Sequence, residues 1–127
     1  MNQLDELIQQ IKSRPESIEF QDVIKHIDKS YDYTPTQFSN GNADDCVTSK
    51  AGENEGSCKI FAFGLLNKLD EIQTLNCFGQ YYRDDVLKHP ENTDHANIRT
   101  FIKHGWKDIV FDNIALKKLH DKNIGTA

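Results

Sequence analysis

The chain has 127 residues, 37% of them hydrophobic, with 20 acidic and 15 basic side chains and a formal net charge of -5. This length suits one domain with one hydrophobic core, so we expect residues 1–127 to form a single domain. The acidic balance argues against a nucleic-acid partner and against an anionic membrane surface. No apolar run reaches the length of about 20 residues that a transmembrane helix needs.

The three cysteines are Cys46, Cys58 and Cys77. Their odd number and wide spacing give no disulfide framework and no C-x-x-C metal pair, so we expect reduced thiols in a cytosol. Cys77 lies among apolar residues and is expected in the core. The first ten residues lack the basic start and long apolar centre of a secretory signal peptide.

Two amphipathic helices are predicted first. The apolar residues of the first helix, at helical spacing, are Leu4, Leu7, Ile8 and Ile11. Asn2 is the expected cap, and the helix should end before Pro15. The second helix should run from about Glu19 to Lys29 or Ser30. Its apolar residues are Phe20, Val23, Ile24 and Ile27.

A small β-hairpin is predicted between Tyr31 and Ser49. The first strand is rich in β-prone residues, but Pro35 interrupts it, which favours an edge strand or an extended segment. Asn40-Gly41 is a strong hairpin-turn dipeptide, and a second strand is expected around 46–49.

A buried helix is predicted from Ser57 to about Leu69. This is the most apolar run of the chain, with almost no polar face, and Ser57 is the expected N-cap. Asp70 should cap the next helix, with Gln73 completing a capping box.

The helix after Asp70 should break at Gly79 and continue over 80–88. Its predicted inner face is Ile72, Leu75, Phe78, Tyr82 and Val86. Thr93 or Asp94 should then cap a helix that ends at Gly105.

That helix should bury Ile98, Phe101 and Ile102, and Trp106 should pack back on the core. A short strand is predicted over 109–111. Asp112 should cap a last helix with Ile114, Ala115 and Leu119, and the tail after His120 should fray.

Three ordered blocks resemble the HopJ (HopPmaJ) type III effector family. They are A-G-x-N-E-G-S-C-K-I-F-A-F over 51–63, C-F-G-x-Y-Y-R-x-D-V-L-x-H-P over 77–90, and T-D-H-x-N-I-R-x-F over 93–101, which is followed by Gly105-Trp106. The similarity covers most of the chain, from about Phe20 to Phe111. It implies a small bacterial protein of a family linked in part to type III secretion into plant cells, with no agreed biochemical activity.

The N-terminus differs from a type III secretion leader, which is usually disordered, Ser-rich and polar. Here a regular amphipathic pattern begins at Leu4. We therefore expect a bacterial cytoplasmic protein, with type III export as the alternative that the resemblance implies.

Cys58 is the sharpest candidate for catalysis. A thiol in the first turn of a helix has a lowered pKa, and Gly56-Ser57-Cys58 is similar to the active-site run of papain-like cysteine proteases. The base would come from His89, His95 or His104. The competing interpretation, which we favour, is that Cys58 is a buried residue of the core helix.

His95 is a second candidate, because the helix N-terminus would lower its pKa and Asp94 would raise it. The competing interpretation is that Asp94 caps the helix and His95 is exposed. Arg83 with a carboxylate, and with Tyr81 or Tyr82, could form a polar pocket. The competing interpretation is a solvated helix face that includes Asp84 and Asp85.

Metal binding is considered for a set of nearby N and O ligands: His89, His95, Asp85 and Asp94. None of them has the H-x-x-x-H or H-E-x-x-H spacing that places two ligands on one helix turn. We therefore predict no metal and no cofactor.

The sequence thus predicts a predominantly α-helical α+β domain with a small β-hairpin. We favour a non-enzymatic interaction or regulatory domain of the HopJ type with a protein partner, and the alternative is a cysteine-dependent hydrolase with Cys58 as nucleophile. The candidate surface or pocket consists of Asn54, Glu55, Cys58, Tyr82, Arg83, Asp85 and His95, with Tyr81 and Trp106 beside them.

Overall fold

A computed structural model describes residues 3–119 of the chain. The α-helices in this range are α1 (Gln3–Ser13), α2 (Phe20–Ser30), α3 (Glu55–Leu66), α4 (Glu71–Asn76) and α5 (Ala96–His104). The strands are β1 (Tyr31–Tyr33), β2 (Phe38–Asn40), β3 (Val47–Ser49), β4 (Val110–Phe111) and β5 (Leu116–Lys118). Short 3-10 turns occupy Pro15–Ser17, Ala43–Asp45 and Gly105–Asp108, and Tyr81–Val86 is a π-helix. Over these residues, none of the helices combines the length and the apolar character that crossing a lipid bilayer would require.

Helices α1 and α2 confirm the two amphipathic helices that were predicted from the spacing of apolar residues at the start of the chain. Leu4, Leu7 and Ile11 of α1 are buried, as are Val23 and Ile27 of α2. Helix α1 ends before Pro15, whose ring cannot continue a helix. The predicted cap Asn2 and the predicted frayed tail after His120 lie outside the described residues.

Helix α3 is the centre of the core, as predicted. The Phe61 ring contacts four aromatic rings from other elements, at centroid distances of 4.9 to 6.3 Å. These four rings belong to Phe38, Phe78, Phe101 and Trp106. The core therefore joins β2, α5 and the segments that follow α4 and α5 around one side chain of α3.

The ends of α3 differ from the prediction. Asn54, not Ser57, precedes the helix, and Ser57 is its third residue. The helix ends at Leu66 rather than near Leu69, and Leu65 and Leu66 are 46% and 53% exposed. The apolar run is therefore not buried throughout, since Leu65 and Leu66 are exposed between the buried residues Phe63 and Leu69.

The strands form two small antiparallel sheets rather than one hairpin. In the sheet of order β3-β2-β4, Phe38 pairs with Ser49 on one side and with Phe111 on the other. The predicted hairpin is thus present as β2–β3, with a loop over 41–46 that contains a 3-10 turn and is longer than a two-residue turn. Gly41, which begins the loop, has a φ of +87°, a conformation that favours glycine.

Strand β1 pairs with β5, so the first predicted strand is split between two sheets. Tyr31 lies opposite Lys118, and Tyr33 lies opposite Leu116. The predicted last helix after Asp112 is therefore wrong. Its apolar pattern belongs to a segment that pairs with β1, and the Thr34 N–H donates to the Ala115 carbonyl at 2.8 Å.

The segment from Asp70 to Val86 follows the predicted break but changes helix type. Asp70 and Gln73 form the predicted capping box. Gly79 has a φ of +60°, and a Cβ there would lie 2.6 Å from the Phe20 backbone nitrogen. Beyond Gly79 the chain forms a π-helix rather than an α-helix. The predicted inner face is buried except for Ile72, which is 56% exposed.

Helix α5 begins one residue later than a cap at Asp94 would require, and two residues later than a cap at Thr93 would require. His95 precedes it, with a φ of +53°. Ile98 and Phe101 are buried, but Ile102 is exposed. The helix ends at Gly105, as predicted.

Trp106 packs on the core beside Phe101, and its indole Nε1 donates to the Leu69 carbonyl at 3.0 Å. This placement confirms the prediction that Trp106 folds back.

Candidate functional site

The first turns of α3 and α5 line a common cleft of about 240 Å³, which we call the α3–α5 cleft. Its polar side chains belong to Asn54, Ser57, His95 and Asn97. Its apolar and aromatic side chains belong to Phe20, Val47, Phe78, Tyr81 and Ile98, and Gly56 and Ala96 complete the lining. Asn54 and His95, far apart in the sequence, thus meet at one surface.

Both helices begin in the same unusual way. The preceding residues, Asn54 and His95, have φ values of +51° and +53°, a conformation that Asn and His tolerate better than most residues. Neither side chain caps its helix. Because the first N–H groups of a helix lack partners within it, these two turns add hydrogen-bond donors to the cleft.

The His95 ring is held on two sides. Its Nε2 lies 3.0 Å from Asp85 Oδ2, and its ring packs on Tyr81 at a centroid distance of 5.3 Å. A carboxylate only accepts hydrogen bonds, so Nε2 carries the proton, and Nδ1 is the acceptor in the neutral ring. Within residues 3–119, Nδ1 has no hydrogen-bond partner. The expectation that Asp94 caps α5 and leaves His95 exposed is therefore wrong, since His95 is half-buried.

An amide network supports the cleft from behind. Asn54 Nδ2 donates to Ser49 Oγ at 2.9 Å, and Asn97 Nδ2 donates to the same oxygen at 3.4 Å. Asn40 Nδ2 donates to Asn97 Oδ1 at 3.1 Å and to the Asn97 carbonyl at 2.8 Å. The side chain of Asn54 is therefore committed to β3 rather than to the helix that it precedes.

Arg99 fixes the loop that carries His95. Its guanidinium donates to Asp94 Oδ1 at 2.7 Å and to the carbonyls of His89 and Asp85 at 3.0 and 3.4 Å. The hydrogen bond from Arg99 holds the pKa of Asp94 below its usual value. One side chain of α5 thus ties down both ends of the segment from Asp85 to Asp94.

Cys58 lies apart from the cleft residues and is 1% exposed. Its thiol is 3.9 Å from the Thr36 carbonyl. Burial raises its pKa, and this effect outweighs the hydrogen bonding with Tyr33 and the Thr36 backbone that lowers it. The expected lowering of this pKa is therefore wrong, and the interpretation of Cys58 as a buried core residue is confirmed. Cys77 is also buried, which raises its pKa to about 12.

Tyr82 and Arg83 also face away from the cleft, into the protein. Tyr82 is 8% exposed, and burial raises its pKa. Arg83 donates to Asn76 Oδ1 at 2.9 Å, to the Pro15 carbonyl at 3.4 Å, and to the Ile18 carbonyl. The predicted pocket of Arg83 with a carboxylate is absent from residues 3–119, where these contacts are with carbonyl and amide oxygens.

Glu55 and Asp84 face solvent away from the cleft lining. Glu55 Oε2 accepts a hydrogen bond from the Tyr33 hydroxyl at 3.0 Å, and Asp84 pairs with Lys88 at 3.0 Å. In the candidate surface drawn from the sequence, only Asn54 and His95 line the cleft, and Asp85 acts through His95.

The other two histidines that were candidate bases lie elsewhere. His89 is exposed near Glu91, and His104 Nε2 contacts Asp45 Oδ2 at 3.1 Å. Across the described part of the chain, no group of three or more His, Cys, Asp or Glu side chains is arranged to hold a metal ion.

Sequence reasoning missed most of the cleft lining, including Ser57, Phe20 and Asn97. Ser57 was taken only as a cap, whereas its hydroxyl has no hydrogen-bond partner among residues 3–119. Phe20 was taken only as part of a helix face, and Asn97 only as part of a block. The available clue was that Ser57 and Asn97 each lie three residues or fewer after a residue that tolerates positive φ.

A family model described as HopJ type III effector protein matches residues 4–116. A solved structure titled "Crystal structure of unknown function protein VPA0580" is similar, with 50% identity and a TM-score of 0.87 over 92% of this chain and 94% of that chain. No curated protein matches the sequence.

Proposed function

The chain belongs to the HopJ type III effector protein family, and we propose that it is a non-enzymatic interaction domain that binds a protein partner through the α3–α5 cleft. The observation that carries the proposal is that Asn54 and His95, from two separate sequence blocks, line one open cleft. Asp85, Tyr81 and Arg99 hold its parts in place without occupying it. Pre-organised, half-apolar clefts with a few polar groups are usual binding sites.

The alternative, a cysteine-dependent hydrolase, has less support. A nucleophilic thiol must be accessible and acidic, because the thiolate is the reactive form. Cys58 is buried, its pKa is raised, and its thiol is directed to a backbone carbonyl. These three observations favour a role for Cys58 in packing.

The proposal also covers the extent of the domain and the cellular compartment of the protein. We treat residues 1–127 as one HopJ-like domain of the bacterial cytoplasm. The family name points to type III secretion as a route by which it would reach a partner in another cell. The net charge of -5 favours a protein partner over a nucleic acid.

Blocking the cleft tests the proposal. Ala96 is exposed, lines the cleft, and is the first residue of α5, so Ala96→Phe fills the opening without entering the core. The matched control is Gln9→Phe, which adds the same ring to the exposed side of α1. Affinity capture from bacterial and plant-cell extracts, with quantitative mass spectrometry, compares both variants with the wild type.

We expect at least one partner that the wild type and Gln9→Phe retain and that Ala96→Phe loses by about tenfold or more. Identical protein sets for all three chains would show that the cleft is not the interaction surface. Partners lost equally from both variants would also count against the proposal, because the loss would then follow from added hydrophobic surface.

A further inference from the structure

The size of the α3–α5 cleft limits what it can hold. Its volume is about 240 Å³. A cavity of about 150 Å³ holds one benzene ring, and pockets for drug-sized molecules start at roughly 300 Å³. The cleft therefore fits a single ring with a small polar substituent, and a nucleotide or a large cofactor would extend beyond it.

One wall of the cleft is aromatic. The rings of Phe20 and Tyr81 meet edge to face at a centroid distance of 5.0 Å and an angle of 73°. The His95 ring continues the row, tilted at 38° to Tyr81. Aromatic rings prefer offset or edge-to-face neighbours, so this wall suits a further aromatic ring.

Two polar groups of the cleft favour a ligand that carries a hydroxyl group. Because the Nε2–H of His95 donates to Asp85, the neutral ring offers Nδ1 as an acceptor. The Ser57 hydroxyl, also without a partner within residues 3–119, can donate. A phenolic hydroxyl both donates and accepts, so it has the hydrogen-bonding capacity that an acceptor and a donor together require.

The charges around the cleft favour a neutral group. Asp85 contacts His95, whereas Asp94 is paired with Arg99. Since like charges repel, a phosphate or carboxylate on a ring placed beside His95 would meet the Asp85 carboxylate. An unmodified phenol carries no such penalty.

We propose that the α3–α5 cleft receives one tyrosine side chain of a partner polypeptide, with its ring against Phe20 and Tyr81 and its hydroxyl between His95 and Ser57. This inference rests on the proposed interaction function and names the anchor residue of the partner. Tyrosine is enriched among the residues that dominate the binding energy of protein interfaces, where it fills pockets of this kind.

The test uses the full chain, ¹⁵N-labelled, with N-acetyl-L-tyrosinamide as the probe and N-acetyl-L-phenylalaninamide as its matched control. We expect the tyrosine probe to shift the amide signals of Asn54, Ser57, His95 and Asn97. The phenylalanine probe should bind about tenfold more weakly, which is the effect of one neutral hydrogen bond.

Four variants sharpen the test. Ala96→Phe should abolish the shifts, and Gln9→Phe should leave them unchanged. His95→Asn, which keeps a residue that tolerates positive φ, should weaken the tyrosine probe several-fold and reduce its advantage over the phenylalanine probe, because the contact with Ser57 remains. Ser57→Ala should weaken binding of the tyrosine probe several-fold. If the spectrum of His95→Asn shows a disturbed fold, the result for Ser57→Ala replaces it in the test.

Equal binding of the two probes to the wild type, shifts outside the cleft, or no binding by either probe would overturn the tyrosine inference. A partner captured through the cleft without binding of the tyrosine probe would overturn this inference and leave the interaction function standing. Binding of the probe without any partner that depends on Ala96 would overturn the interaction function and leave the cleft as a site for a small phenol.

Discussion

The α3–α5 cleft and the packed layer behind it are built from neighbouring residues of the same segments, yet their environments are opposite. Ser57 lines the cleft, whereas Cys58 is buried under Thr36. Tyr81 lines the cleft, whereas Tyr82 is buried in the core. We call Cys58, Tyr82 and Arg83 the packed layer.

The difference teaches that reactive residue types do not by themselves mark a site. The packed layer holds a thiol and a guanidinium, the two groups that the sequence suggests for catalysis or ligand binding. Both of them donate hydrogen bonds to backbone carbonyls instead. The cleft holds a hydroxyl and an imidazole nitrogen that have no partner in the described part of the chain. Free hydrogen-bonding capacity at an open surface, rather than residue type, indicates binding.

The largest expected effect comes from the adjacent tyrosines. Tyr82→Ala removes a buried ring from the core and should lower the free energy of unfolding by about 3 kcal/mol. Tyr81→Ala removes a half-buried ring and should cost about 1 to 2 kcal/mol while weakening the probe at the cleft. Urea unfolding of both variants measures the difference, and equal losses would contradict the distinction between cleft and packed layer.

Arg83→Ala should have the next largest effect on stability. It leaves the Asn76 side chain and the carbonyls of Pro15 and Ile18 without their charged donor, and we expect a loss of about 2 to 3 kcal/mol. Asp84→Ala, the matched change at an exposed neighbour, should cost about 0.5 kcal/mol or less. If Arg83→Ala kept full stability and lost binding, Arg83 would belong to the binding surface instead.

The smallest expected effect is a pH dependence of the folding stability, which comes from Asp94 near the cleft. Arg99 lowers the pKa of Asp94 in the folded protein, so this carboxylate adds stability above its unfolded pKa of about 3.9. That stability is lost as the pH falls through the lower, folded pKa. Asp94→Asn should therefore flatten the stability curve below about pH 5, as urea midpoints measured between pH 5 and 2.5 would show. A curve with unchanged slope would mean that Asp94 is not coupled to Arg99 in solution.

The sequence predicted those parts of the fold that depend on local spacing. The periodicity of α1 and α2, the capping box of Asp70 and Gln73, and the end of α5 at Gly105 all involve residues within a turn or two. The pairing of β1 with β5 was not predictable in this way. It joins distant segments, and the apolar pattern after Asp112 suits a helix and a buried strand equally well.

The site was predicted in part, for a similar reason. The sequence blocks pointed to Asn54, Asp85 and His95, which the fold does bring together at the cleft. Tyr82 and Arg83 were assigned to the same surface because Arg83 and a tyrosine were expected to form a polar pocket, although the helical spacing already placed Tyr82 on the inner face. The partners of Arg83 include the carbonyls of Pro15 and Ile18, which are distant in the sequence, so local spacing could not show that this side chain lies against the protein.

The most direct test of the central claim, that the protein acts through the cleft and not through a thiol, is the rate of iodoacetamide alkylation of each cysteine between pH 6 and 9. Cys46 is exposed and serves as the internal reference. We predict that Cys46 reacts in the folded protein and that Cys58 and Cys77 react only after unfolding in urea, because both are buried with raised pKa values. Fast alkylation of Cys58 below pH 7 in the folded chain would contradict the account and restore the hydrolase alternative.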